Sequence, residues 1–142
     1  MTKFSFEKII KADRKKVFDI VANYEEFQNT LPQYFPSIRI RSKRNNVAVV
    51  EEHLKFYGKE LVMMTKHVTK YPEVHEVFVI GGDAKGSRFY EKYEAIPEGT
   101  KITVDVELKL KGVLKIAAFF GKEKITKGFS KILDEFAKIA ES

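Results

Sequence analysis

Two hydrophobic periods divide the chain. Between Val113 and Ala140 apolar residues recur at helical spacing, with Ile125, Phe129, Ile132, Leu133, Phe136 and Ala140 on one face. Lys127, Lys131, Asp134, Glu135 and Lys138 occupy the other face. The first half of this stretch, with Val113, Leu114, Ile116, Phe119 and Phe120, is denser than one stripe requires and predicts fuller enclosure. Gly121 sits between the halves as a candidate bend. One helix of about 28 residues at about 1.5 Å per residue would be roughly 40 Å long, enough to cross a small domain. Its apolar stripe needs a cover, and the strands that precede it are the candidate.

From Ser37 onward the period is two. Strand-length segments run Ser37 to Arg44, Val47 to Phe56, Lys59 to Tyr71, Glu73 to Ile80, Gly86 to Ile96 and Thr100 to Lys111. They are separated by turn residues: Asn45-Asn46, Tyr57-Gly58, Pro72, Gly81-Gly82-Asp83 and Pro97-Glu98-Gly99. The last segment is the clearest, with Ile102, Val104, Val106, Leu108 and Leu110 alternating with polar positions, so one face is buried and the other wet. Short turns between consecutive strands predict an antiparallel meander. Ahead of it, Phe4, Phe6 and Ile10 mark a strand over Lys3 to Lys11, interrupted by Lys8. Asp13 is a candidate N-cap for a helix that buries Val17, Phe18, Ile20 and Val21, and a second short helix carries Phe27 and Leu31 up to Pro32. The expected class is α+β: strand, two short helices, six strands and a long helix, the curved seven-stranded antiparallel sheet laid against that helix.

Composition adjusts this picture at a few points. At 142 residues, with twelve Phe and six Tyr, the chain reads as one domain over 1–142 with a substantial core. The absence of cysteine excludes disulfides, thiolate metal sites and a cysteine nucleophile. Met1 to Ile10 already alternates like a strand, and no apolar run reaches about 20 residues, so a cytoplasmic protein is expected. The net charge of +6 raises an anionic partner, although acidic residues are interspersed throughout. Arg39, Arg41, Lys43 and Arg44 gather near the first hairpin, and Lys109, Lys111, Lys115, Lys122 and Lys124 around the helix start. If these converge, an anionic membrane surface is a possible partner. RNA phosphate, on a nucleic acid or ribosome, ranks lower because no aromatic-basic motif accompanies the lysines.

The order of elements and three stretches resemble the START-like (SRPBCC) helix-grip superfamily of polyketide cyclases, birch-pollen-allergen relatives and ubiquinone-binding proteins. The first stretch is Ala12 to Asn23, continuing through Tyr24-Glu25-Glu26-Phe27 to Leu31-Pro32. The second is Phe56-Tyr57-Gly58 with Lys70-Tyr71-Pro72, and the third is Tyr93 to Ile102. The last two are most similar to the ubiquinone-binding branch. That branch commonly has Trp and Phe where this chain has Tyr93 and Ala95, which implies a larger or reshaped cavity. Some of its members associate with ribosomes, which is the source of the RNA reading.

The resemblance implies a ligand cavity between sheet and long helix, and alternation supplies its candidate lining. Leu54 and Phe56, then Leu61, Met63, Thr65 and His67, then Phe89, Tyr93 and Ala95 share the inward parity of their strands, joined by Phe119 and Phe120 from the helix. The same stripes would equally fill a solid core. Glu52 and Glu91 fall on inward faces, where a carboxylate must be paired, protonated or at a rim, and His67 is within reach of partnering one of them. The facing of His53 and His75 is open. The leading function is binding or delivery of a lipid, quinone or isoprenoid-like molecule, with no cofactor. The alternative implied by the resemblance is a cyclase or dehydratase using His67 and Glu91 for proton transfer. No nucleophile sits beside a base, no metal-ligand spacing such as His-Glu-x-x-His occurs, and no phosphate-binding loop follows Gly81, Gly82 and Gly86, so no catalytic residue is assigned.

Overall fold

The computed structural model describes residues 2–109 and 121–142. Strand β1 (Thr2–Ile10) leads into helix α1 (Arg14–Val21), a 3₁₀ turn (Tyr24–Glu26) and the short helix α2 (Phe27–Thr30). Strands β2 (Ser37–Arg44), β3 (Val47–Phe56), β4 (Lys59–Lys70), β5 (Val74–Gly82), β6 (Arg88–Ile96) and β7 (Gly99–Leu108) follow, and helix α3 (Gly121–Glu141) ends the chain. The seven strands form one antiparallel sheet in the order β1-β7-β6-β5-β4-β3-β2. The meander accounts for six strands, and β1 closes it by pairing with β7, Phe4 opposite Val106 and Ile10 opposite Thr100.

Local chemistry sets these boundaries. Asp13 accepts a hydrogen bond from the Lys15 amide at 3.0 Å and so caps α1. Asn45 takes φ 55° in the β2–β3 turn, a left-handed conformation that asparagine tolerates. Register shifts between Ile40 and Ser42 and between Met64 and Thr65 are bulges that bend the sheet. The concave face so formed carries Val50, Leu54, Met63, Val79, Val104 and Val106, and α3 lays Ile125, Ile132, Leu133, Phe136 and Ala140 into the same buried cluster. Lys8 interrupts its strand's apolar face because its Nζ reaches Asp134 of α3 at 2.6 Å, which ties the sheet edge to the helix.

Several boundaries differ from the sequence pattern. Strand β6 begins at Arg88 rather than Gly86, because Gly86 takes φ 95° and its amide bonds back to the Val79 carbonyl of β5, while that of Ser87 bonds to the Ala84 carbonyl within the turn. Strand β7 stops at Leu108, and the expected helical half from Val113 to Phe120 lies outside the described residues.

Gly128 is where the β3–β4 hairpin meets α3. A Cβ there would lie 2.6 Å from Phe56 Cζ and 3.0 Å from Tyr57 Cε2. The Phe56 ring has little room to retreat, since its centroid is 4.8 Å from that of Phe129 and 5.0 Å from that of Tyr57. Tyr57 also donates its hydroxyl to the Lys124 carbonyl at 2.6 Å. Gly128→Val is therefore expected to cost about 2 kcal/mol, the overpacking penalty little reduced by valine's modest helix propensity, and urea unfolding would measure it.

Candidate functional site

Four neighbouring strands bring ionisable side chains onto the concave face. Strand β3 supplies Glu52, β4 Thr65 and His67, β5 His75, and β6 Glu91 and Tyr93. The register explains their meeting. His75 lies directly opposite Glu91. His67 opposes Val77, so His75 is its diagonal neighbour, and Glu52 opposes Met63, which places it diagonal to Thr65. The bulge before Thr65 shifts the pairing of β4 with β5 at this point.

The result is a continuous ladder. Glu52 Oε1 is 2.5 Å from His67 Nε2, His67 Nδ1 is 2.9 Å from His75 Nε2, and His75 Nδ1 is 2.6 Å from Glu91 Oε1. Thr65 Oγ1 lies 2.5 Å from Glu52 Oε1, and the Tyr93 hydroxyl donates to Glu91 Oε1 at 2.7 Å. Tyr24, from the 3₁₀ turn, places its hydroxyl 3.3 Å from His75 Nε2 and its ring 4.2 Å from that of His67. The two imidazoles are nearly parallel, at 11°. Glu52, Thr65, His67 and His75 are buried, and the Glu91 side chain is 14% exposed.

Counting protons bounds the charge of this ladder. Three gaps separate the four groups, each gap needs one proton, and two neutral imidazoles supply two. The inner pair, at 2.9 Å, can share one proton; two would clash and none would set lone pair against lone pair. With both carboxylates ionised, a ladder bonded at every gap holds one extra proton and a net charge of −1, and in any case at least one negative charge stays uncompensated. Burial alone would raise the Glu52 carboxyl, but His67, through charge and hydrogen bond, with Thr65 and His75, more than offsets this and holds it below 4.5. Glu91 is governed likewise: burial is outweighed by His75, Tyr93 and His67, and its carboxyl also lies below 4.5. Burial first, then the neighbouring carboxylates, pushes the Tyr24 and Tyr93 phenols above their ordinary value, so both remain hydroxyl donors at neutral pH.

Groups held below their unfolded value stabilise the fold above that value and lose the contribution as pH falls through the folded one. Stability is expected to be flat with respect to these two carboxyls above pH 4.5 and to fall steeply in more acid solution. Replacing both glutamates by glutamine should flatten that acid limb in thermal melts between about pH 2 and 5.

The ladder edges a cavity of about 130 Å³ between the sheet and α3. Its polar walls are Glu52, Thr65, His67, His75 and Glu91, and the rest is apolar, including Val79, Val104, Ile132 and Leu133 with phenylalanines from both layers. Among the described residues no buried polar side-chain atom lacks a partner. Both glutamates bond to the ladder through Oε1, so each Oε2 keeps accessible surface, and both residues line the cavity. A second cleft of about 330 Å³ reaches Tyr24 and His67 from the α1 and β2–β3 hairpin side, with Asp19, Lys43 and Asn46 in its walls.

The sequence-derived candidates divide. Leu54, Met63, Thr65, His67, Phe89, Glu52 and Glu91 face the cavity. Leu61 and Tyr93 are buried beside it without lining it, Tyr93 because its ring is 4.8 Å from Phe18. Phe56 is drawn instead over Gly128 and against Phe129. Ala95 is exposed, one residue before the Ile96–Gly99 end of the hairpin, so its side chain does not enlarge the cavity. Phe119 and Phe120 lie outside the described residues. His53 bonds Glu60 at 2.9 Å at a part-exposed position away from the ladder. Tyr24, His75, Val79 and the helix residues Phe129, Ile132, Leu133 and Phe136 were not selected by strand parity; for the helix residues the i, i+3, i+4 stripe was the available signal.

The basic surface is interrupted. Arg41 pairs with Glu51 at 2.7 Å and Lys43 with Glu25 at 3.2 Å, while Lys111 and Lys115 lie outside the described residues. Among the described residues no helix is long and apolar enough to cross a membrane, and no group of three or more His, Asp or Glu side chains could hold a metal ion.

The profile of a family described as polyketide cyclase / dehydrase and lipid transport matches residues 1–141. Among curated proteins none matches the chain in sequence. A Thermus thermophilus protein, TTHA0849, is similar in structure with TM-score 0.83 at 12% identity, over 96% of this chain and 95% of that one. The Zhui aromatase/cyclase from a Streptomyces species superposes with TM-score 0.77 at 10% identity, over 99% and 93% of the two chains. A START superfamily protein from Mycobacterium smegmatis does so with TM-score 0.70 at 16% identity, over 99% and 93%. At these identities the likeness speaks to the helix-grip fold.

Proposed function

We propose that this chain, which belongs to the polyketide cyclase / dehydrase and lipid transport family, binds a hydrophobic small molecule between the concave sheet and α3 and carries it for delivery. The apolar part of the molecule lies against the cavity wall, and a polar group lies on the Glu52-to-Glu91 ladder. The observation that carries this reading is an apolar cavity whose polar groups form one connected edge, the usual character of a small-molecule site. Magnitude sets what fits. An engineered apolar cavity of about 150 Å³ holds benzene, so 130 Å³ encloses one ring; of a quinone or isoprenoid, only the head ring or one terminal unit would be enclosed. A ring burying about 150 Å² gains about 4 kcal/mol, which alone gives roughly millimolar affinity. The polar edge must supply the rest.

A second reading is a cyclase- or dehydratase-like enzyme. It is favoured by the two carboxylate–imidazole couples, Glu52 with His67 and His75 with Glu91, lying on the same cavity. Under that reading His67→Gln and Glu91→Gln, made separately, each lower turnover on a confirmed substrate by about 100-fold. Unchanged turnover removes them from the mechanism.

The test of the binding reading is native mass spectrometry of freshly purified protein with identification of any extracted compound, followed by titration of emptied protein with toluene. A stoichiometric apolar compound, or saturable toluene shifts in the methyl resonances of Val79 and Leu133, is the expected result. Protein that carries nothing and shows no such shifts contradicts it.

A further inference from the structure

We infer that the ligand of this cavity bears a protonated amine beside the one ring that the cavity encloses. The inference rests on the binding reading above and specifies its ligand class. Three observations carry it. The ladder exposes acceptors and no spare donor: each imidazole nitrogen and the Tyr24 and Tyr93 hydroxyls are already engaged, whereas Glu52 Oε2 and Glu91 Oε2 remain accessible. A carbonyl, carboxylate or phosphate brought to this edge would meet oxygen with oxygen, and an ammonium would donate to a carboxylate.

The second observation is charge. The carboxylates bring two negative charges and the imidazole pair, 2.9 Å apart, has room for at most one extra proton, so at least one negative charge is uncompensated, and neither Lys nor Arg is among the described residues lining the cavity. A monocation neutralises the edge, and a neutral ligand would leave it as it is. The third is the rest of the lining, which includes Phe6, Phe27, Phe35, Phe89, Phe129 and Phe136. Aromatic walls accept a ring by stacking and a cation through their faces. The downward displacement of both glutamate carboxyls agrees with an ionised edge at neutral pH. The volume of about 130 Å³ limits the enclosed part to one ring.

Isothermal titration calorimetry of the full chain at neutral pH with toluene, benzylamine and benzoate tests this, since the three share a ring and differ in charge. Benzylamine is expected to bind about 10- to 100-fold more tightly than toluene, the contribution of charge-assisted hydrogen bonds, with benzoate weaker than both. Glu91→Gln, checked for its fold by amide spectra, should cost benzylamine about tenfold. Benzylamine binding no tighter than toluene, or benzoate binding as well as benzylamine, overturns the inference and leaves the binding reading in place. Failure of all three ligands, toluene included, overturns both.

Discussion

His67→Leu is expected to unfold about 10 °C below the parent protein. His67 holds the middle of the ladder, 2.5 Å from Glu52 and 2.9 Å from His75. A leucine there leaves the Glu52 carboxylate, 7% exposed, with Thr65 as its remaining partner. Removing one member of a buried charge pair costs about 3–5 kcal/mol, because the other stays buried and uncompensated. In a domain of this size each kcal/mol moves the midpoint by roughly 2–4 °C, which gives the expected shift. The pair as a whole is worth much less than either deletion implies. Glu52→Met combined with His67→Leu removes both charges, and the double variant is expected to be about 2 kcal/mol more stable than the sum of the singles requires. Urea melts of the four proteins measure the coupling. Additive losses would mean that the two side chains do not act as a unit.

Val79→Phe is expected to abolish binding of a ring-sized ligand while leaving the fold intact. Val79 is 3% exposed, lies opposite Thr65 across the bulge and lines the cavity. A phenylalanine ring at that position would take up much of a cavity of about 130 Å³. Filling an existing void exchanges empty space for contacts, so stability should change by less than about 1.5 kcal/mol. The apolar burial available to toluene is lost, and its affinity should fall by about 30-fold or more. Toluene binding with unchanged affinity would place the ligand elsewhere. The 330 Å³ cleft beside Tyr24 would then be the next site to probe.

The fold was written plainly in the sequence, and the site was written in fragments. Asn45-Asn46, Tyr57-Gly58 and Pro72 punctuate the meander, so β2 and β3 match their expected bounds and β4 ends one residue early. The stripe from Ile125 to Ala140 marks the buried face of α3 because helical period is a local property. Strand parity placed Glu52, Thr65, His67 and Glu91 on the inner face, since alternation is local too. What parity lacks is register. His67 reaches His75 only as a diagonal pair across β4 and β5, next to a bulge, and nothing in either segment alone states that offset. Tyr24 joins from a 3₁₀ turn more than fifty residues from His75, a contact that only the packed chain defines.

Parity also fails where packing competes. Phe56 has the inward parity of β3 but finds a better partner in the groove opened by Gly128. Ala95 keeps the parity of β6 at a point where the hairpin has run past the core, and it is exposed. Neither Tyr93 nor Ala95, expected to give a larger or reshaped cavity, lines it: Tyr93 is buried with its hydroxyl on Glu91, and Ala95 is exposed.

The central claim is that the apolar cavity ends in a ladder of two carboxylates and two imidazoles that share one extra proton. Long-range ¹H–¹⁵N correlation spectra of protein labelled at histidine report the state of each ring nitrogen at neutral pH. The account expects His67 and His75 to hold three protons between them, with Nε2 of His67 and Nδ1 of His75 protonated toward Glu52 and Glu91 and the third proton between the rings. Two independent neutral imidazoles, each with one bare nitrogen, would contradict it, because the proton that joins His67 to His75 would be absent.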